Sequence, residues 1–486
     1  MTAALGPAID WLAVSGVAAV AAPLLGALVA SSRPIRATPR TVGVSAAAIA
    51  LAAGLAMAVA WQTGDGQPLG FGHACGGGRL VFIDGLGAAL VPYTALMATA
   101  TLLVAPRRLL DGAAVRRALV GLAATLAVFV TSHPLALVAL WFFTARPTWR
   151  STRLTPGGRP AARVFAIYMT AAVACMAAGT LLLVADPPWE RGSGPAGAVG
   201  GWLVAVAVMI RKGIVPFHSW YPAIFSGAPM STALMATMPQ IAAYTAVRLL
   251  VGHADEVPHA LLMLAAFALV TAVYGAALAV VQRDLRGFIG AFSLSQSALV
   301  LAGLAGTLPM ELTGAFCVWI SSGLSITGIG LVCWALESRA GDISLERLQG
   351  RFWDSPTLAA FFLLFGMASI GLPGTLSFVA DDLIVAGSLE AGVAAGLMVI
   401  ASTVLCGIAV MRCWFQVFGG PRPADSPGHA MLLRERLPLT VLVAAVFGLG
   451  IFPGPLVQSF ERAAERILRT SAAHAPSPAT LPSPEP

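Results

Sequence analysis

The chain has 486 residues, of which 58% are hydrophobic and 10% charged, against about 25% charged in an average soluble domain. A soluble protein of this size needs charge on its surface, so the composition excludes a disordered chain, a nucleic-acid-binding domain and an ordinary cytosolic enzyme. It leaves a multi-pass membrane protein, with room for roughly 14 helical spans of about 20 residues each.

Apolar runs mark the predicted elements in chain order: 10–31, 41–61, 83–105, 114–131, a short one at 133–145, 163–185, 196–226, 229–251, 259–281, 287–306, 312–336, 357–388, 390–412 and 437–458. The runs at 196–226 and 357–388 are too long and too interrupted for plain helices. The first run lacks a basic leader and is long enough to span, so no cleavable signal is expected. Residues 459–470 read as a short amphipathic helix. Residues 471–486, rich in Pro, Ser and Ala, read as a disordered tail without chemistry.

The net charge of +7 comes from 29 basic and 22 acidic residues, and Lys212 is the single Lys. The Arg residues cluster in alternate loops: Arg33, Arg36 and Arg40, then Arg107, Arg108, Arg116 and Arg117, then Arg146 to Arg163. Later clusters, from Arg283 to Arg436, keep the same alternation. The intervening loops are neutral or acidic. Positive loops stay on the cytoplasmic side, which predicts fourteen spans with both termini outside a bacterial-type cell membrane. The six Cys (75, 175, 317, 333, 406 and 413) form no CxxC and no metal-ligand spacing with His. Five lie in or beside apolar runs and read as small core residues. No haem, zinc, iron–sulfur, phosphate-loop or dinucleotide signature is present, so no cofactor is expected in this chain.

Charge inside a membrane is costly and marks candidate function. Two segments carry it. In IRKGIVPFHSW (210–220), Pro216 should break a helix one turn after Arg211 and Lys212. Both cations could instead be interfacial side chains reaching for water. His218 lies in the same segment; a lone His is more often a hydrogen-bonded structural residue than a ligand. In GLPGTLSFVADDLIVAG (371–387), Pro373 and Gly374 interrupt the run, and Asp381 and Asp382 follow within about two turns. The pair could cap a helix at the membrane edge. It could also hold a proton, because a carboxyl taken out of water can exchange protons near neutral pH.

At these segments the chain resembles the proton-conducting membrane transporter family. That family includes the antiporter-like subunits L, M and N of NADH–quinone oxidoreductase, with related subunits of membrane hydrogenases, sodium/proton antiporters and an inorganic-carbon uptake system. Three ordered blocks carry the resemblance: VPFHSWYPAIFSGAPMSTALMATMPQIAAYTAVRLL (215–250), VQRDLRGFIGAFSLSQSALVLAGL (281–304) and GLPGTLSFVADD (371–382). The resemblance implies an all-α fold of about fourteen transmembrane helices with two inverted five-helix repeats, each with one broken helix. The implied organisation is N-terminal helices and outer loop over 1–80, a conducting core over 81–415, and a last span with the amphipathic helix over 416–470.

The resemblance also implies a central line of Lys, Glu and His residues with water, which this chain departs from. The carboxylate expected after Trp141 is replaced by Phe142. The Lys before the break is Arg211, with Lys212 displaced by about 100° around the helix. Other titratable positions fall on Gln240, Gln296 and Ser322. The carboxylate after the second break survives as Asp381, beside Asp382. Arg is effectively never deprotonated, whereas a buried Lys can release its proton. The expectation is a subunit that moves protons in support of a partner complex, through Lys212, Asp381, Asp382 and water lined by Gln240, Gln296, Ser322 and His218, beside Arg211, with no redox centre of its own. The complex would be of the NADH–quinone oxidoreductase or hydrogenase type, with other membrane and peripheral subunits as partners and no nucleic acid. Two alternatives stay open: the membrane half of a proton-powered inorganic-carbon transporter with a soluble zinc partner, and a non-conducting structural subunit. The chain ends soon after its last span, which would suit an M-like or N-like place, or the carbon-uptake type, rather than an L-like place.

Overall fold

A computed structural model describes residues 11–31, 38–64, 66–73, 78–106, 109–187, 195–253, 257–306, 308–422 and 431–474. Cys75, Arg33, Arg36, Arg107, Arg108 and the tail from 475 onward lie outside these residues.

The helices follow the apolar runs closely. They are α1 (Trp11–Val29), α2 (Pro39–Thr63), α3 (Gly85–Val104), α4 (Gly112–Phe129), α5 (Pro134–Leu154) and α6 (Arg159–Ala185). Two broken units follow: α7 (Pro195–Lys212) with α8 (Trp220–Gly227), and α9 (Met230–Thr237) with α10 (Ile241–Leu249). Then come α11 (Pro258–Val281), α12 (Leu285–Leu304), α13 (Pro309–Ala340), the broken unit α14 (Pro356–Ala368) with α15 (Leu376–Ala391), α16 (Val393–Phe418), α17 (Leu433–Ile451) and α18 (Gly454–His474).

Three expectations are corrected. The chain is not wholly helical: β1 (Leu69–His73) pairs antiparallel with β2 (Arg79–Ile83), in a segment read as a loop. The short run at 133–145 is the apolar half of a 21-residue helix, α5. A helix does not stop where its apolar residues do, and α5 carries Arg146, Arg150 and Arg153 onward in helical form. Helix α18 extends the amphipathic segment at both ends and takes in residues 471–474. By length and apolar composition, eleven described segments can cross a membrane, ten single helices and the α9–α10 unit over Met230–His253, or twelve if α17 and α18, bent by 72°, count as one span.

Burial orders the bundle. The spans of α12 and α13 are wholly buried, whereas about a third of α1, α2, α6, α11 and α16 is covered. A helix apolar all round and covered on one face is suited to lipid on the others. Close packing rests on small residues, as membrane helices require. A Cβ on Gly179 of α6 would lie 2.8 Å from the Gly200 carbonyl of α7, and one on Gly275 of α11 would lie 2.9 Å from the Ser295 nitrogen of α12.

The helix ends define two faces. One is rich in arginine: Arg286 is paired with Glu337 at 2.7 Å and Arg339 with Glu435 at 2.5 Å, while Arg40 donates to the Leu103 carbonyl. The other face holds the hairpin, the Asp84–Arg248 pair and α18. Trp61 of α2 donates to Ser459 of α18 at 3.0 Å, and Phe316 of α13 packs on Phe460 at 5.5 Å.

Candidate functional site

Three interrupted helices bring polar groups into the buried interior. At the first, α7 ends at Lys212. Gly213 has φ 72°, and the Val215–Pro216 bond is cis. Pro216 cannot continue the helical ladder, and the freed groups find other partners: Trp220 Nε1 donates to the Ile210 carbonyl at 2.8 Å, and Val215 N donates to Thr271 Oγ1 at 3.0 Å.

The second break, between α9 and α10, was not expected. It falls at Gln240, whose φ is 51°, the one described non-glycine residue in left-handed backbone. Tyr93 Oη donates to the Met238 carbonyl at 2.9 Å, satisfying a group the break releases. Side chains in this conformation are uncommon and suggest a functional constraint. Here the constraint is visible: Lys212 Nζ donates to Gln240 Oε1, so the two breaks face one another. Lys212 is 3% exposed and Gln240 5% exposed. Beside them lies a cavity of about 10 Å³, lined also by Tyr221, Thr237 and Ser297. That size is at the lower edge of what one water requires.

Arg211 diverges from Lys212, as adjacent helical positions must. Its guanidinium lies 4.8 Å from the Trp141 ring centre and donates to the Trp141 carbonyl at 2.9 Å and to Thr144 Oγ1 at 2.7 Å. Phe142, where the resemblance implies a carboxylate, is 51% exposed on the outer side of α5.

At the third break, Thr375 Oγ1 donates to the Leu372 carbonyl at 2.6 Å and α15 begins. Asp381 folds back over Gly371: a Cβ there would lie 2.7 Å from Asp381 Oδ2. Asp382 is exposed on the other side of the helix. The two acids therefore do not form a dyad that shares a proton. Gln296 of α12 is buried and reaches Cys406 of α16 at 3.6 Å. Ser322 of α13 is 2% exposed. His218 stands apart, half-buried, with Nε2 3.3 Å from Tyr274 Oη on α11.

One buried acid escaped the sequence reading. Glu311, in the first turn of α13, is 6% exposed. An acid there usually answers the helix dipole, which hid it. Its Oε1 accepts from Ser388 Oγ of α15 at 3.3 Å, while its buried Oε2 has no hydrogen-bond partner. Gly387 packs against it so closely that a Cβ would lie 2.9 Å from Glu311 Cβ. Ser388 is seven residues beyond Asp381, about 10 Å along the same face of α15. Buried Ile384 lies between them.

Comparison with known proteins bears on this arrangement. Residues 192–407, which span all three breaks, match the family described as "NADH:quinone oxidoreductase/Mrp antiporter, TM". Subunit M of NADH-quinone oxidoreductase from Mycobacterium tuberculosis is 25% identical over 282 residues, 57% of this chain and 51% of that protein. The chain thus matches about half the length of such relatives. Among solved structures, a chain of respiratory complex I from Thermus thermophilus superposes with a TM-score of 0.84 at 21% identity, covering 94% of this chain and 99% of that one. A chain of the Mrp complex from Dietzia gives 0.80 at 19%, covering 96% and 98%. At these identities the superpositions show a shared fold.

Proposed function

We propose, starting from a chain whose residues 192–407 match the NADH:quinone oxidoreductase/Mrp antiporter membrane family, that it conducts protons across the cell membrane as one subunit of a larger electron-transfer complex. The observation that carries this reading is the placing of Lys212 and Asp381, buried or folded inward, directly beside helix breaks within the matched segment. Buried ionisable groups at broken helices are where transporters handle ions. Fourteen spans are proposed on the same basis, each broken pair counted as one unit. Two five-unit repeats then run from α4 to α10 and from α11 to α16. The fourth unit of each is broken, α7 with α8 and α14 with α15, and in the first repeat the fifth, α9 with α10, is broken as well.

In this reading Lys212 takes and releases the proton, with Gln240 as its neutral partner. Arg211 keeps its charge and biases Lys212 toward release. Polar side chains of α12 and α13, Gln296 and Ser322 among them, line a watered connection to Asp381. Glu311 with Ser388 forms the terminal station at the arginine-poor face. The arginine-rich face is the cytoplasmic one. Partner subunits supply the driving reaction.

The test is proton flux into proteoliposomes followed with a pH-sensitive dye. Flux above that of empty vesicles is expected for the unaltered chain. No flux, together with recovery of the chain in a stable complex, would favour the non-conducting structural reading. Glu311→Gln should lower flux roughly tenfold, and Ser388→Ala roughly threefold, the effect of one modest hydrogen bond. Unchanged flux in Glu311→Gln would remove Glu311 from the path and leave the rest of the reading standing.

A further inference from the structure

Beside α4, α5 and α9, on the arginine-rich face, lies a cavity of about 730 Å³. Four arginines line it: Arg117, Arg150, Arg211 and Arg286. Only Arg286 has an acidic partner, Glu337, which takes its charge through two bonds of 2.7 Å. Arg117 donates to Ser151 Oγ at 3.2 Å, and Arg211 to a carbonyl and a hydroxyl. Among the described residues, no carboxylate lies within salt-bridge distance of Arg117, Arg150 or Arg211. The one acid in the lining, Asp111, accepts from the Ala114 nitrogen at 2.6 Å as the cap of α4. The remaining walls are largely apolar, with Leu102, Leu122, Phe165 and Met169 among them.

A cation held inside a protein without a countercharge is strongly unfavourable. Arg211 sits deep in the bundle, where its partners are the Trp141 carbonyl, Thr144 Oγ1 and the Trp141 ring. Small-molecule sites typically have about 300–1,000 Å³, apolar walls and a few convergent polar groups. Arginine's planar fork matches carboxylate and phosphate oxygens. We infer that this cavity binds an amphiphilic oxyanion, its carboxylate or phosphate group held by Arg211 and Arg117 and its apolar part against the leucine-rich wall. The anion supplies Arg211 with the countercharge that no described carboxylate provides at salt-bridge distance. The site adjoins the proposed proton line at Arg211, while Lys212 points the other way, toward Gln240.

The anion's source is either soluble or a lipid headgroup, and thermal unfolding of the purified full chain separates them. The chain is prepared in uncharged detergent, and the probes are inorganic phosphate and phosphatidylglycerol, with phosphatidylcholine as control. An increase in Tm of roughly 3 °C or more with either anionic probe is expected. It should shrink in Arg211→Gln and in Arg117→Gln, the second variant serving should the first fail to fold. A response to phosphate identifies a site for soluble oxyanions; a response to phosphatidylglycerol alone identifies a headgroup site. No rise with either probe, or an equal rise in Arg117→Gln, overturns the inference.

Discussion

Replacing Lys212 by Met should reduce proton flux through the reconstituted chain to that of empty vesicles, a loss of ~10-fold or more. Lys212 is the single Lys of the chain and is almost wholly buried. Its partner Gln240 can orient an ammonium or an amine but cannot carry the proton onward. Lys212→Arg should fail as well, since a guanidinium does not deprotonate. That result would separate the need for a cation from the need for a group that titrates. Asp381→Asn should have the same effect at the other break, and Asp382→Asn should leave flux unchanged, because its side chain faces outward. Undiminished flux in both Lys212→Met and Asp381→Asn would sink the proposed path.

The largest effect on stability is expected for Asp84→Asn. Asp84 caps α3 by accepting from the Gly87 nitrogen at 3.0 Å, and both its oxygens receive Arg248 donors at 2.8 Å. Arg248 also lies 4.5 Å from the Tyr244 ring centre and 4.9 Å from that of Phe82. Burial alone would raise the Asp84 carboxyl, but the Arg248 guanidinium and the backbone N–H of Gly87 outweigh it and hold it below its ordinary 3.8. Asn preserves the cap and removes the charge, leaving Arg248 buried and unpaired at a cost of about 3–5 kcal/mol. Thermal unfolding in detergent measures this loss, and Asp84→Asn combined with Arg248→Met should recover most of it. A cost under about 1 kcal/mol would place the pair among weak surface bridges. A depressed carboxyl stabilises the fold above the unfolded value and ceases to do so as pH falls through the folded one. The contribution should therefore be intact at neutral pH and be lost progressively as pH falls below 3.8.

The sequence was most legible where a physical rule acts locally. Each of the fourteen apolar runs coincides with a helix or a broken pair, because lipid-facing and core-facing residues are both apolar and leave long marks. Pro216 and the Pro373–Gly374 pair announced two breaks through their missing donor and free backbone. The break at Gln240 was passed over although Pro239 stands beside it and interrupts a helix as Pro216 does; only the bond from Lys212, 28 residues away, is a tertiary feature with no local mark. The hairpin was silent, since Leu69–His73 alternates with glycine and carries little strand signal of its own. Neighbouring helical residues diverge by about 100°. That angle rightly separated Arg211 from Lys212, and it should equally have divided Asp381 from Asp382. Glu311 was unreadable because nothing in the sequence tells a buried first-turn acid from an exposed one.

The hydrogen bond from Trp61 to Ser459 joins residues 398 positions apart. With the Phe316–Phe460 contact, it makes α18 a clasp across the arginine-poor ends of the bundle. Chains acquire structure from the N-terminus during synthesis, so α2 and α13 are in the membrane long before the clasp is made. For most of its biogenesis, then, the molecule is an unfastened bundle whose arginine-poor ends await α18. Ribosomal stalling just short of α18 would leave an inserted intermediate, a form for quality-control proteases to distinguish from the fastened bundle.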